Sequence, residues 1–146
     1  MKDSAAIEFK NVTKTFGKVV ANSDVSFSIK KGEIMSLLGE NGSGKTTLMN
    51  MLAGIYYPDS GSICVNGEEV SIRSPQDAFR LGIGMIHQHF KLIDVFTAAE
   101  NTILGLNEKG GFNIAKAADG IKEICDKYGF EIDPYQKEYD MTVSQK

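Results

Sequence analysis

Gly39-Glu40-Asn41-Gly42-Ser43-Gly44-Lys45-Thr46, with Thr47 behind it, has the spacing G-x-x-x-x-G-K-[ST] of a phosphate-binding loop. Before it, Glu33-Ile34-Met35-Ser36-Leu37-Leu38 is a short apolar run that reads as a buried strand. After it, Leu48-Met49-Asn50-Met51-Leu52-Ala53 reads as a helix that ends at Gly54. Strand, loop and helix in that order are the context the motif needs. The residue types explain the chemistry. Gly39, Gly42 and Gly44 let the backbone turn with positive φ and come close to an anion. Successive N–H groups then point inward as an anion nest, reinforced by the positive end of the helix dipole. Lys45 would reach terminal phosphates, and the Thr46 hydroxyl would hold Mg²⁺. The competing reading is a glycine-rich turn ahead of an ordinary helix.

The 146 residues suffice for one domain with a real core, and 42% hydrophobic and 24% charged residues are ordinary for a globular chain. The net charge of −3 and the lack of a basic run argue against nucleic acid as a partner. The longest charge-free stretch, Thr46 to Pro58, has 13 residues, too few to span a membrane. No apolar signal core follows Met1-Lys2-Asp3-Ser4, so a cytosolic chain is expected, with any membrane role through a partner. Cys64 and Cys125 have no second Cys or His at ligand spacing and read as buried free thiols.

Outward from the loop, Ile7 to Val12 and Val25 to Ile29 alternate apolar and polar as half-buried strands, with a turn at Phe16-Gly17-Lys18. Short turns at this spacing predict an antiparallel β layer around the nucleotide strand. Phe16 has two readings, a core aromatic or a face on which a base stacks. Pro58-Asp59-Ser60-Gly61 is a turn signature, and Asn66-Gly67 between Ser62–Val65 and Val70–Ile72 is a hairpin signal. Ser74-Pro75-Gln76-Asp77 opens a helix that ends at Gly82. Ile83-Gly84-Met85-Ile86-His87 reads as another buried strand, parallel to the phosphate-loop strand. Gln88, at its end, either holds Mg²⁺ or a water near the terminal phosphate or is a surface loop glutamine. His87 and His89 lack a third ligand and read as structural or surface residues. Thr97-Ala98-Ala99-Glu100 is a capping box that starts a helix at Ala98, running to about Leu104. Ile114, Ala117, Ala118, Ile121, Ile124, Cys125 and Tyr128 make a core stripe on a helix capped by Asn113 and stopped by Gly129.

Five stretches together resemble the ATP-binding subunit of ATP-binding cassette (ABC) transporters. Val12-Thr13-Lys14-Thr15-Phe16-Gly17 looks like the adenine-stacking loop, and Gly39 to Thr47 like Walker A with the family's double Thr. Pro58 to Ile63 with Asn66-Gly67 is similar to the β-hairpin after the first helix. Met85-Ile86-His87-Gln88-His89-Phe90 looks like the Q-loop, and Phe96-Thr97-Ala98-Ala99-Glu100-Asn101 like the T-V-x-E-N helix start. The wording from Ser74 to Phe90 looks most like subunits of simple-sugar and nucleoside importers. The resemblance implies an α/β P-loop NTPase core with an antiparallel β subdomain and the start of a helical subdomain. Residues 1–96 would be the nucleotide-binding core and 97–146 a partial helical subdomain. It implies that Phe16 stacks on adenine and that Gly39, Glu40 and the run Asn41 to Thr47 form the ATP cradle. Thr46 and Gln88 would bind Mg²⁺, with Lys45 and Gln88 as the catalytic residues. Implied partners are membrane-spanning permease subunits, met through the Q-loop region from Phe90 to Phe96, and a second ATPase subunit. The implied location is peripheral, on the cytoplasmic face of the cell membrane.

L-S-G-G-Q, a Walker B strand ending in Asp-Glu and the switch histidine do not appear. The chain therefore reads as the N-terminal part of such a subunit, truncated before the signature, and as deficient in hydrolysis. A non-catalytic nucleotide-binding module is one alternative. A GTPase lacks its N-K-x-D. A dinucleotide oxidoreductase is disfavoured because Thr47 stands where G-x-G-x-x-G needs its last glycine.

Overall fold

The computed structural model describes residues 5–87, 92–105, 111 and 113–146. They fall into two units, Met1–Met85 and Ile86–Lys146. In the first, strands β1 (Ala5–Phe16), β2 (Val19–Lys30), β3 (Ser60–Val65) and β4 (Glu68–Val70) form one antiparallel sheet in the order β2-β1-β3-β4. The hairpin read at Asn66-Gly67 is present: Asn66 and Gly67 take φ of 52° and 85°, and Val65 pairs with Glu68 across them. Two left-handed residues in succession give a turn whose twist matches that of the flanking strands.

β1 and β2 are longer than the alternation predicts because each carries a phase slip. Asn11 and Asp24 both have positive φ, 53° and 52°, where the β1–β2 register shifts. The slip brings Phe9 and Val12, three residues apart, both into the core. The Asn11 amide donates to the Asp24 carboxylate at 2.8 Å and ties the two irregularities together. Helix α1 (Lys45–Leu52) buries Leu48 and Met51, one turn apart, in a cluster with Phe9, Val12, Ile63, Ile72 and Ala78. Helix α2 (Pro75–Arg80) starts as its sequence predicts: Ser74 Oγ accepts the Asp77 N–H, Pro75 occupies the first turn, and the chain leaves through Gly82 at φ 77°.

Two predicted strands do not form. Residues 33–38 and 83–87 belong to no ladder among the described residues. Ile34, Leu38 and Ile86 are 96%, 89% and 93% exposed, which is the reverse of burial. A buried parallel strand is defined by ladders on its edges and helices over its faces. The apolar run supplies the side chains for such a strand but not its neighbours.

In the second unit, helix α3 (Ala98–Ile103) begins at the predicted capping box. Thr97 Oγ1 accepts the Glu100 N–H at 3.1 Å, and Glu100 Oε2 accepts the Thr97 N–H at 2.7 Å. The Asn101 side chain bonds both the N–H and the carbonyl of Ile93, fixing the segment ahead of the helix. Helix α4 (Ile114–Tyr128) is capped by Asn113 and stopped by Gly129 at φ 73°, as read. Its stripe is only partly core: Ala118 and Cys125 are buried, whereas Ile114, Ile124 and Tyr128 are exposed. Six residues of α3 are too short to cover fifteen of α4. Residues 134–139 are stitched back to 94–99 by backbone bonds and an isolated bridge between Thr97 and Lys137. Both cysteines are buried and free. Among the described residues no helix is long and apolar enough to cross a membrane.

Exposure separates two apolar residues that look alike in sequence. Leu38→Ser is expected to leave unfolding free energy within about 0.5 kcal/mol of wild type. Phe9→Ala is expected to cost about 3–5 kcal/mol. Urea denaturation of the two variants checks this, and a large loss at Leu38 would show that the run is buried after all.

Candidate functional site

Lys45, the first residue of α1, folds back over the loop it follows. Its ammonium donates to the Gly39 and Glu40 carbonyls at 2.8 Å each and to Ser43 Oγ at 3.3 Å. The loop closes on itself through the Ser43 N–H, which donates to the Glu40 carbonyl at 3.1 Å. Gly42 and Gly44 hold φ of 87° and 86°, as read, whereas Gly39 does not take a positive φ; a Cβ there would instead lie 2.6 Å from Ser43 Oγ. Gly44 is also the N-cap of α1 and has no side chain to satisfy the first-turn N–H groups. A Cβ on Gly44 would run into the Ala21 carbonyl and lie 2.7 Å from Asn22 Nδ2, so the loop lies directly against β2. Glu40, Asn41, Ser43 and Thr46 are exposed, and Thr47 is half-buried.

Phe16 lies on the neighbouring strand, β1, at the hairpin end of the pair. It closes β1 and pairs with Val19 across the Gly17-Lys18 turn. The residue is 42% exposed, so it is not a core aromatic. Tyr56 meets it edge-on, with centroids 5.0 Å apart at 70°. The Lys14 ammonium lies 5.4 Å from the ring centroid. That ammonium is anchored by Asp59 Oδ1 at 2.7 Å, while Asp59 Oδ2 accepts the Thr15 N–H and hydroxyl at 2.7 Å each. One carboxylate thus pins, through three hydrogen bonds, the two residues that lead to the exposed ring. Lys14 beside Asp59, followed by the two Thr15 hydrogen bonds, holds its carboxyl down to about 2 from 3.8.

Sequence reasoning found the loop, Phe16 and the turn at Asp59. It missed Asn22, Tyr56 and the role of the Asp59 side chain, whose contacts are long-range. Gln88 and His89 lie outside the described residues. His87 is exposed, and no group of three or more His, Cys, Asp or Glu among the described residues is placed to hold a metal.

The profile of the ABC transporter family matches residues 22–145. The chain belongs to that family. The ABC relatives it resembles include the guanosine import ATP-binding protein NupO of Bacillus subtilis, 49% identical over 96% of this chain and 28% of that protein. The nucleoside import ATP-binding protein NupA of Lactococcus lactis is 45% identical over all of this chain and 29% of its own length. The ribose import ATP-binding protein RbsA 1 of Rubrobacter xylanophilus is 39% identical over 96% and 28%. This chain therefore spans under a third of the curated relatives it matches. Among solved structures, a dimeric bacterial ABC transporter cassette superposes with a TM-score of 0.74 at 28% identity, over 95% of this chain and 64% of that one. A post-hydrolysis cassette dimer bound to ADP and phosphate gives 0.73 at 26% identity, with the same coverage. The fold is thus that of an ABC ATPase cassette, represented here by its antiparallel β subdomain, phosphate loop and helices.

The Asp59 clamp makes this ABC chain's stability depend on acid. A carboxyl whose folded pKa is depressed stabilises above its unfolded value, and the contribution is lost as pH falls through the folded value. Asp59→Asn is expected to lower the melting temperature by a constant amount above pH 5. The gap to wild type should shrink below pH 3.8 and close near pH 2, the folded value of this carboxyl. Thermal denaturation across that range checks it, and a gap independent of pH would rule out the clamp.

Proposed function

We propose that these residues bind Mg-ATP within a subunit that energises import of a nucleoside or simple sugar. The observation that carries the proposal is the Lys45 ammonium held across the loop by two backbone carbonyls, at the uncapped N-terminus of α1. A cation, glycines at positive φ and free first-turn N–H groups together suit a polyphosphate. The residues fit Mg²⁺ as well, since Thr46, exposed and next in sequence to Lys45, offers a hydroxyl ligand. Bound Mg²⁺ supplies charge neutralisation at the phosphate oxygens. In this reading residues 39–47 wrap the phosphates, and Phe16 offers its exposed ring to adenine. Gln88 would join Thr46 as a ligand of the metal. Lys45 and Gln88 would be the catalytic groups.

The importer assignment draws on the nucleoside, guanosine and ribose importers among the relatives, and nucleosides are favoured because NupO and NupA are the more similar. The subunit would lie on the cytoplasmic face of the membrane, paired with a second ATPase subunit. It would meet permease subunits through the segment after Gln88, up to Phe96. Residues 1–96 would serve as the nucleotide-binding core and 97–146 as part of the helical subdomain. No Asp-Glu pair to orient an attacking water occurs in these 146 residues, so they bind nucleotide with little turnover.

At ATP a hundredfold above Kd, wild type should gain about 2.7 kcal/mol of stability. Lys45→Ala should lose most of that gain, read as the thermal shift with Mg-ATP. An unchanged shift in the variant would remove the loop from the site. Phe16→Ala should weaken ATP and GTP alike, because stacking uses the face that every base has. Titration of both nucleotides tests this, and loss of only one would mean that Phe16 reads base edges. Phosphate release by the chain should stay far below about 1 s⁻¹, the low end of ordinary enzyme turnover. Lys45-dependent release at that rate would show that the hydrolytic groups are present.

A further inference from the structure

We propose that Asn22, on β2, is a positioning residue for the phosphate loop, aiming the Lys45 backbone N–H at the bound phosphates. The inference rests on the nucleotide-binding reading of this site. Asn22 is 8% exposed, and its Nδ2 donates to the Gly44 carbonyl at 3.3 Å. That carbonyl already accepts the Leu48 N–H at 2.9 Å, the first rung of α1. The Gly44 carbonyl and the Lys45 N–H belong to one planar peptide unit and point in opposite directions. Two donors on the carbonyl therefore fix the direction of the N–H. The absence of a Cβ on Gly44 is what admits the amide so close, since that atom would lie 2.7 Å from Asn22 Nδ2.

A second observation separates this role from packing. Asn22 Oδ1 is buried and has no hydrogen-bond partner among the described residues. An unpaired buried oxygen lowers stability, and a leucine of similar volume would remove it. Leucine would lose the Gly44 hydrogen bond but also remove this orphaned oxygen, so the two effects on stability oppose each other while the effect on the loop remains. Its inward orientation follows from the slip at Asp24, which turns Asn22 to the face shared by Val25 and Phe27.

The test compares wild type, Asn22→Leu and Asn22→Asp in the 146-residue chain. It reads the melting temperature without ligand and the calorimetric Kd for Mg-ATP and for tripolyphosphate. Asn22→Leu is expected to keep the melting temperature while weakening both ligands about five- to tenfold, the loss of one modest hydrogen bond. Asn22→Asp keeps an acceptor, loses the donor and sets a negative charge against the carbonyl, so it should bind still more weakly. Unchanged affinities in the leucine variant would overturn the proposal. So would a fall in melting temperature that accompanies the loss of binding, because that marks a structural role. A loss confined to ATP, with tripolyphosphate spared, would place the effect at the base and overturn it too. If wild type binds neither ligand, the nucleotide reading fails first and takes this inference with it.

Discussion

The first unit depends on the seam between helix α1 and the four-stranded sheet. Leu48 and Met51 are 2% and 0% exposed, packed with Phe9, Val12 and Ile63. Burying each side chain contributes about 1.5–3 kcal/mol. The spacing of three puts both on one face, which fixes the rotation of the helix about its axis. Once that is fixed, the start of α1 and the loop ahead of it have one place to go, against the Ala21–Asn22 segment of β2. The candidate site is thus set by an apolar contact that contains none of its functional residues.

The sheet meets that demand by breaking its own alternation. A strict period of two would send Val12 outward if Phe9 faces in. The left-handed residue Asn11 resets the phase, and Asp24 does the same on the neighbouring strand. Asparagine and aspartate tolerate this conformation better than most non-glycine residues. The amide–carboxylate bond between them makes the two slips one feature. Beyond Asn11, β1 delivers Lys14 and Thr15 to the Asp59 clamp, and ahead of Asp24, β2 delivers Asn22 to Gly44.

What could be read from sequence divides along the range of the interactions. Asn66-Gly67, Ser74 with Asp77, Thr97 with Glu100, and Asn113 with Gly129 act within four residues or in their own φ, except that Asn113 and Gly129 act separately at the two ends of α4. Each stands where the sequence places it. The phosphate loop belongs to the same group, because its glycines and lysine act on their own neighbours. The failures are non-local. Residues 33–38 carry the apolar content of a strand, but strand formation is decided by partners elsewhere in the chain. Asn22 looked like one more polar residue ahead of Val25, since the alternation that starts at Val25 gives no sign of a slip at Asp24. Asp59 was legible as a turn residue, but its three hydrogen bonds to Lys14 and Thr15 span more than forty positions.

The Lys45 contacts bear on how such a loop accepts an anion. A lysine with no acceptor would be free to swing into solvent, and ordering it on binding would cost side-chain entropy, up to about 2 kcal/mol. Here its ammonium already bonds two loop carbonyls and a hydroxyl. Those carbonyls carry only partial charges, whereas a phosphate oxygen carries a formal one. At an effective dielectric of about 20, two unit charges 4 Å apart attract by about 4 kcal/mol. An arriving phosphate therefore competes for a cation that is already localised at the loop. In the proposed nucleotide reading, an anion of high charge would outbid two carbonyls while also accepting the N–H groups at the start of α1.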